Sequence, residues 1–362
     1  MYIGFGMLMR QKSVLAEPTA VSSGKPDSSF SLAQKDLKLP VEKKIGQMMM
    51  VSIPGTLLST TTAQWLRDRH IGGVILLGKN VVSLEQTKKF IRQLQDNASQ
   101  AGDPPLLIGV DQEGGMVSRF RFLQELTAQK DILDTESAFQ VGLARGKELR
   151  ELGVHVNFSP VLDVASSSQD FMFSRTFRGD AGQVALLGEA MIRGYEQAGI
   201  ISVAKHFPGH GGTRVDSHKD LPVKNITYAG LDKELEPFRK AILARVPMIM
   251  PAHIKFPRID KQYPASISSL LIGRMLRTDL GYQGVIITDD LGMGAIMKTY
   301  GLPDAGVRAI KAGDDILLVV RSLPEYDKIY MRIKNALGHK EITEQRLDES
   351  IRRIMLLKSR VR

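Results

Sequence analysis

The stretch IISVAKHFPGHGGTRVDSHKDLP, residues 200–222, sets an apolar run, Ile200 to Ala204, against a polar stretch from Lys205 to Pro222. Within that polar stretch stand His206, His210 and His218, with Asp216 and Asp220 beside them. Pro208, Gly209, Gly211 and Gly212 exclude a helix through its first half. The reading is a buried strand that empties into a long, glycine-punctuated loop. Loops on rigid scaffolds carry much of enzyme function, so the search for chemistry begins at this edge.

Working outward, apolar runs alternate with amphipathic stretches. Strands are expected at 47–53, 73–77, 105–110, 154–158, 200–204, 248–251, 284–288 and 315–320. Helices are expected at 62–69, 84–95, a segment ending near Leu152, 268–278, 302–312, 325–337 and 343–358. Two more are marked by their apolar stripes. Val184, Leu187, Met191 and Tyr195 share one face, with Gly199 as the cap; Leu235, Phe238 and Ile242 share another. Eight strands alternating with helices predict an α/β protein, a single (β/α)8 TIM barrel, over 37–362. A doubly wound open sheet is the runner-up and has no need of an eighth strand. Residues 1–36, rich in serine with Pro18, Gly24 and Pro26, read as a loose N-terminal leader.

A barrel places its chemistry just after its strands. Polar clusters fall there: Asp111 to Glu113, Asn157 and Asp163, Lys205 and His206, His253, and Asp289 with Asp290.

Composition narrows the class. The 362 residues are 43% hydrophobic and 24% charged, as in an ordinary globular protein. No run reaches the length of a membrane-spanning helix. With no cysteine, disulfides and thiolate zinc sites are excluded. The net charge of +10 suits an acidic partner, yet no nucleic-acid-binding motif accompanies it, so nucleic acid is not expected. Oligomeric state is not legible. A cytoplasmic location is expected, with export or surface display left open by the leader.

Asp289 ends the apolar run of VIITDDLGMGA (285–295), so its carboxylate emerges at the rim as a nucleophile, a base or a metal ligand. Asp290 is read as the cap of the following helix, although spacing alone scarcely separates the two. Asp216 and His218, two apart, suit acid/base work, or else a plain loop hydrogen bond. His206 and His210 flank Pro208 and so are not a helical zinc pair. In DQEGG (111–115) the glycines allow a sharp turn beneath a ligand, and Asp111 can accept from substrate hydroxyls.

Together these stretches resemble glycoside hydrolase family 3, and within it the NagZ-type β-N-acetylglucosaminidases, or β-hexosaminidases. The pattern K-H-F-P-G-x-G, four residues, then D-S-H is complete from Lys205 to His218. QEGG, NFSPVLDV (157–164), PAH (251–253) and TDDLGM (288–293) support it across 37–358. The resemblance implies Asp289 as nucleophile, His218 as acid/base and Asp216 as its dyad partner. It implies that Asp111, Arg119, Arg175, Lys205 and His206 hold an N-acetylglucosamine unit. The implied reaction is retaining, exo-acting hydrolysis of muropeptides or chitooligosaccharides, as in peptidoglycan recycling, with no cofactor and no metal. Phosphate as a second acceptor stays open. So do a β-glucosidase-type specificity and a non-catalytic sugar-binding protein of the same fold. Met116 stands at a usual arginine, Arg178 at a usual glycine, and 165–170 lacks the usual prolines. These departures bear on the rim of the sugar pocket.

Overall fold

A computed structural model describes residues 39–361 apart from residue 166. The leader expected over 1–36 lies outside the described residues.

Eight parallel strands form the centre: β1 (Met49–Ser52), β2 (Gly73–Leu76), β3 (Leu107–Val110), β4 (Val156–Asn157), β5 (Ile201–Phe207), β6 (Met248–Pro251), β7 (Val285–Ile286) and β8 (Leu317–Val319). Their spatial order is β8-β1-β2-β3-β4-β5-β6-β7. Neighbours keep parallel register, as in Val51 opposite Val74 and Met50 opposite Leu318. A further parallel bridge, Ile287 to Ile316, links β7 to β8, the two ends of that order. The result is a curled α/β sheet. Its strands are buried along their whole length, which is why they read as continuous apolar runs rather than alternating ones.

Helices cover the outside, and their starts are written locally. Ser59, Ser83, Asp134, Asp180 and Thr343 each accept the amide of the residue three further on, capping the helices that begin at Thr60, Leu84, Thr135, Ala181 and Glu344. The stripe at Val184, Leu187, Met191 and Tyr195 is buried as expected. Gly199, just past that helix, has φ +75, a conformation only glycine adopts freely.

Three expectations are corrected. The segment from Gln47 does not begin a strand: a helix runs Val41–Gln47 and β1 starts at Met49. The helix expected at 268–278 is a π-helix, Leu270–Asp279, in which wider turns bond Arg274 N to Ser269 O and Leu280 N to Met275 O. Most consequentially, β5 does not end at Ala204. It continues through Lys205 and His206 to Phe207, with Lys205 opposite Met250 and Phe207 opposite Pro251 on β6. Among the described residues no helix is long and apolar enough to cross a membrane.

Candidate active site

Lys205 and His206 stay in the strand because each side chain has a buried partner. Lys205 Nζ lies 2.9 Å from Asp111 Oδ1 and 2.7 Å from Glu113 Oε1. Burial opposes its charge, but the carboxylates of Asp111 and Glu113 outweigh burial and push its pKa up. His206 Nδ1 lies 2.7 Å from Asp163 Oδ2, and Asp163 Oδ1 accepts the amides of His206 and His210. Burial would raise the Asp163 carboxyl, yet His206 and His210 hold it below the usual range. The Asp163 bond fixes the ring, so Nε2 is the His206 nitrogen left for a ligand.

Glu113 is the hub of this network. Arg175 meets it with two bonds, Nε to Oε2 at 2.9 Å and Nη2 to Oε1 at 2.6 Å, while Lys205 approaches the same Oε1. Burial raises the Glu113 pKa; Arg175 and Lys205 overcome it and hold the group far below its ordinary 4.5. Arg175 is correspondingly raised.

The DQEGG stretch folds into a small hairpin, Gln112–Gly114 against Val117–Ser118, that the sequence reading did not contain. Asn157, at the end of β4, grips Gln112 through both its backbone N–H and C=O. The Gln112 side chain then accepts the amides of Arg119 and Phe120. Behind the hairpin, fully buried Arg145 donates to the carbonyls of Glu113 and Thr127. Gly114, at φ +92, passes so close to Thr127 that a Cβ there would sit 2.0 Å from its carbonyl oxygen. This bracing aims Arg119 into the site. Its Nη2 stands 3.8 Å from Asp111 Oδ2, and its buried Nε has no hydrogen-bond partner among the described residues.

Asp289 follows β7 and is half-buried. Its Oδ1 accepts the Asp290 amide at 2.8 Å. Enclosure raises its pKa, but His253, His206, that amide and Lys205 prevail and hold it at about 2, so it is an anion at neutral pH. Asp290 is not a helix cap. The helix Gly294–Met297 has no side-chain cap at all. Asp290 Oδ1 instead accepts the amides of Gly292 and Val320, tying the loop after β7 to the chain after β8. Burial pushes its carboxyl up to about 6. His253 Nε2 donates to the Asp290 carbonyl at 2.9 Å while its Nδ1 meets Ser266, so this buried imidazole also supports the turn that carries Asp289.

The acid/base candidates sit on the loop after β5. Asp216 Oδ1 lies 2.8 Å from His218 Nδ1 and accepts the His218 amide at 2.9 Å. Burial opposes the Asp216 charge, but the His218 amide and ring outweigh it and lower its pKa. The His218 side chain is 62% exposed. The His210 nitrogens face Thr213 at 3.0 Å and Ser217 at 3.3 Å, and burial lowers its pKa to about 4.

A single cavity of about 280 Å³ is lined by Asp111, Arg119, Arg175, Lys205, His206, His218 and Asp289. It therefore gathers every expected site residue except Asp216, which stands behind His218. The sequence reading set Gln112, Glu113, Asp163 and His253 at the rim where a barrel's chemistry falls but gave none of them a role in the site. Their signal was position, since each follows an apolar run or lies inside DQEGG, but their partners are far away in the chain.

The profile of the glycosyl hydrolase family 3 N-terminal domain matches residues 40–357. The chain belongs to this family and is a glycoside hydrolase domain. It is 37% identical over 281 residues to a β-hexosaminidase of Thioalkalivibrio sulfidiphilus, covering 75% of this chain and 80% of that one. It is 34% identical over 335 residues to β-hexosaminidase A of Pseudoalteromonas piscicida, covering 84% of this chain and 56% of the relative. A solved family 3 β-N-acetylglucosaminidase from Paenibacillus sp. superposes with a TM-score of 0.86 at 36% identity, covering 89% of this chain and 63% of that one. The chain thus spans less than two thirds of the length of the last two.

Proposed function

We propose that this chain is a retaining, exo-acting β-N-acetylhexosaminidase that removes a terminal non-reducing N-acetylglucosamine from muropeptides or chitooligosaccharides, with a role in peptidoglycan recycling. The curled sheet is read as one closed (β/α)8 barrel, joined at the Ile287–Ile316 bridge. The observation that carries the proposal is the shared cavity. Its lining includes a carboxylate, Asp289, an imidazole, His218, and the polar side chains of Asp111, Arg119, Arg175, Lys205 and His206.

In this reading Asp111, Arg119, Arg175, Lys205 and His206 hold the sugar. Asp289 attacks the anomeric carbon and the C–O bond to the leaving group breaks. His218 gives its proton to the departing oxygen. Water, deprotonated by His218, then displaces Asp289 and frees the sugar. Asp216 orients the ring and stabilises its charged form. A neutral imidazole, unlike a carboxylate, does not repel an anion approaching the glycosyl intermediate, so phosphate is a possible second acceptor. A cytoplasmic location goes with this proposal.

The test is turnover of nitrophenyl N-acetylglucosaminide against nitrophenyl glucoside, with NMR of the first-formed anomer. The expected result is a clear preference for the former and initial release of the β-anomer. Preference for glucoside, or initial α-anomer, overturns the reading. Mass spectrometry of products from peptidoglycan fragments decides the substrate.

A further inference from the structure

A second cavity, of about 340 Å³, lies at the opposite end of the strands. Its wall includes Pro247, just before β6, and Gly284 and Val285, at the start of β7. The sugar site takes Met250 from the far part of β6 and Asp289 from beyond β7. The two cavities are thus separated by the length of the strands, roughly 13 Å at ~3.3 Å per residue.

Three arginines line this cavity: Arg245, Arg353 and Arg360. Among the described residues, neither Arg245 nor Arg360 has a salt bridge or a side-chain hydrogen bond. Arg353 reaches Asp315 at 3.0 Å, but that buried carboxylate is shared with Arg277 at 2.5 Å and Arg346 at 3.5 Å. Asp315 also accepts from Ser350 and from the Ile286 amide, which completes its capacity. The neighbouring Asp314 is fully buried, its oxygens have no hydrogen-bond partner among the described residues, and burial beside Asp315 raises its pKa well above its ordinary 3.8. Among the described residues no acidic side chain lines the cavity itself, and its remaining wall is largely apolar: Ile242, Val246, Leu356 and Leu357.

A concave apolar wall with a few convergent cations is the form of a small-molecule site. Forked guanidinium groups match the paired oxygens of a carboxylate or phosphate. The geometry points to a binding site for a small organic oxyanion with an apolar body, held by Arg245, Arg353 and Arg360 and separate from the sugar pocket. Its occupancy stabilises the fold by mass action, because the unfolded chain has no such site.

The experiment titrates the protein with hexyl phosphate, inorganic phosphate and hexanol, reading melting temperature and calorimetric heat. Hexyl phosphate is expected to raise the melting temperature by several degrees, inorganic phosphate less, and hexanol not at all. Arg245→Gln with Arg360→Gln removes side chains that are exposed and unpartnered, so the variant folds. It is expected to bind hexyl phosphate about tenfold more weakly or worse, as two charge-assisted contacts are lost, with turnover of nitrophenyl N-acetylglucosaminide unchanged. Equal binding by the variant, or no response to hexyl phosphate, overturns the proposal. So does binding only to vesicles carrying anionic lipid, which would make these arginines a surface contact rather than a pocket.

Discussion

Gly294 donates its amide hydrogen to the carbonyl oxygen of His218 at 3.0 Å, and Ala295 does the same to Ser217 at 3.2 Å. The loop that carries the imidazole is thereby pinned to the turn beyond Asp289. The two halves of the proposed catalytic pair, from different strands, share one backbone junction. A Cβ at position 294 would stand 2.4 Å from Lys219 O and 2.8 Å from His218 O.

Gly294→Ala should therefore push the imidazole away from the glycosidic oxygen. Turnover of alkyl glycosides is expected to fall about 10- to 100-fold, since small misplacements of a catalytic group are costly. Nitrophenyl substrates, whose leaving groups need less protonation, should lose less. Kinetics on both substrates check this; equal losses would show that His218 does not act as the acid.

Asp289→Ala should abolish turnover, by at least about a thousandfold, while leaving the fold intact. The carboxylate is half-buried, and among the described residues its hydrogen bond goes only to the amide of its own neighbour. Activity with a nitrophenyl substrate and a thermal melt are the two readouts.

Glu113→Gln tests the hub. It leaves the Arg175 and Lys205 cations buried without their shared anion, a loss of roughly 3–5 kcal/mol. The folded-state pKa of Glu113 is depressed, so its contribution is present above about 4.5, the ordinary value, and fades as pH falls. Urea melts should show the largest difference from the parent at neutral pH and a shrinking one in acid.

Asp290→Asn probes the opposite shift. The Asp290 carboxyl is raised to about 6, so between its ordinary 3.8 and about 6 the folded state binds more protons and stability falls as pH rises. Asparagine retains an oxygen for the Gly292 and Val320 amides without burying a charge. The variant's melting temperature should gain on the parent as pH climbs through that window and hold the gain above it.

Asp163→Asn should act on the sugar rather than on the reaction. An amide cannot accept from His206 Nδ1 and from both backbone amides as the carboxylate does. Losing one charge-assisted bond should raise KM about tenfold or more, with a smaller change in kcat.

Much of this protein is legible in one dimension. Apolar runs too continuous for a half-exposed sheet, each followed by an amphipathic stretch, determine parallel strands covered by helices. Strand direction then determines that residues just after those runs, Asp111 and Asp289 among them, share one face. The Lys205–His218 pattern determines the family.

The tertiary structure decided the rest, because it depends on groups distant in the chain. Arg175 finds Glu113 across 62 positions, and His206 finds Asp163 across 43. Those bonds let Lys205 and His206 remain inside β5, where local propensity ends the strand. Asp290 became a tie between two loops rather than a helix cap because the Val320 amide, thirty residues on, arrives beside it. Local sequence sets which way a chain runs and which face it buries. Which charges meet at the edge is set by strand order and register, and those exist only once the sheet has curled.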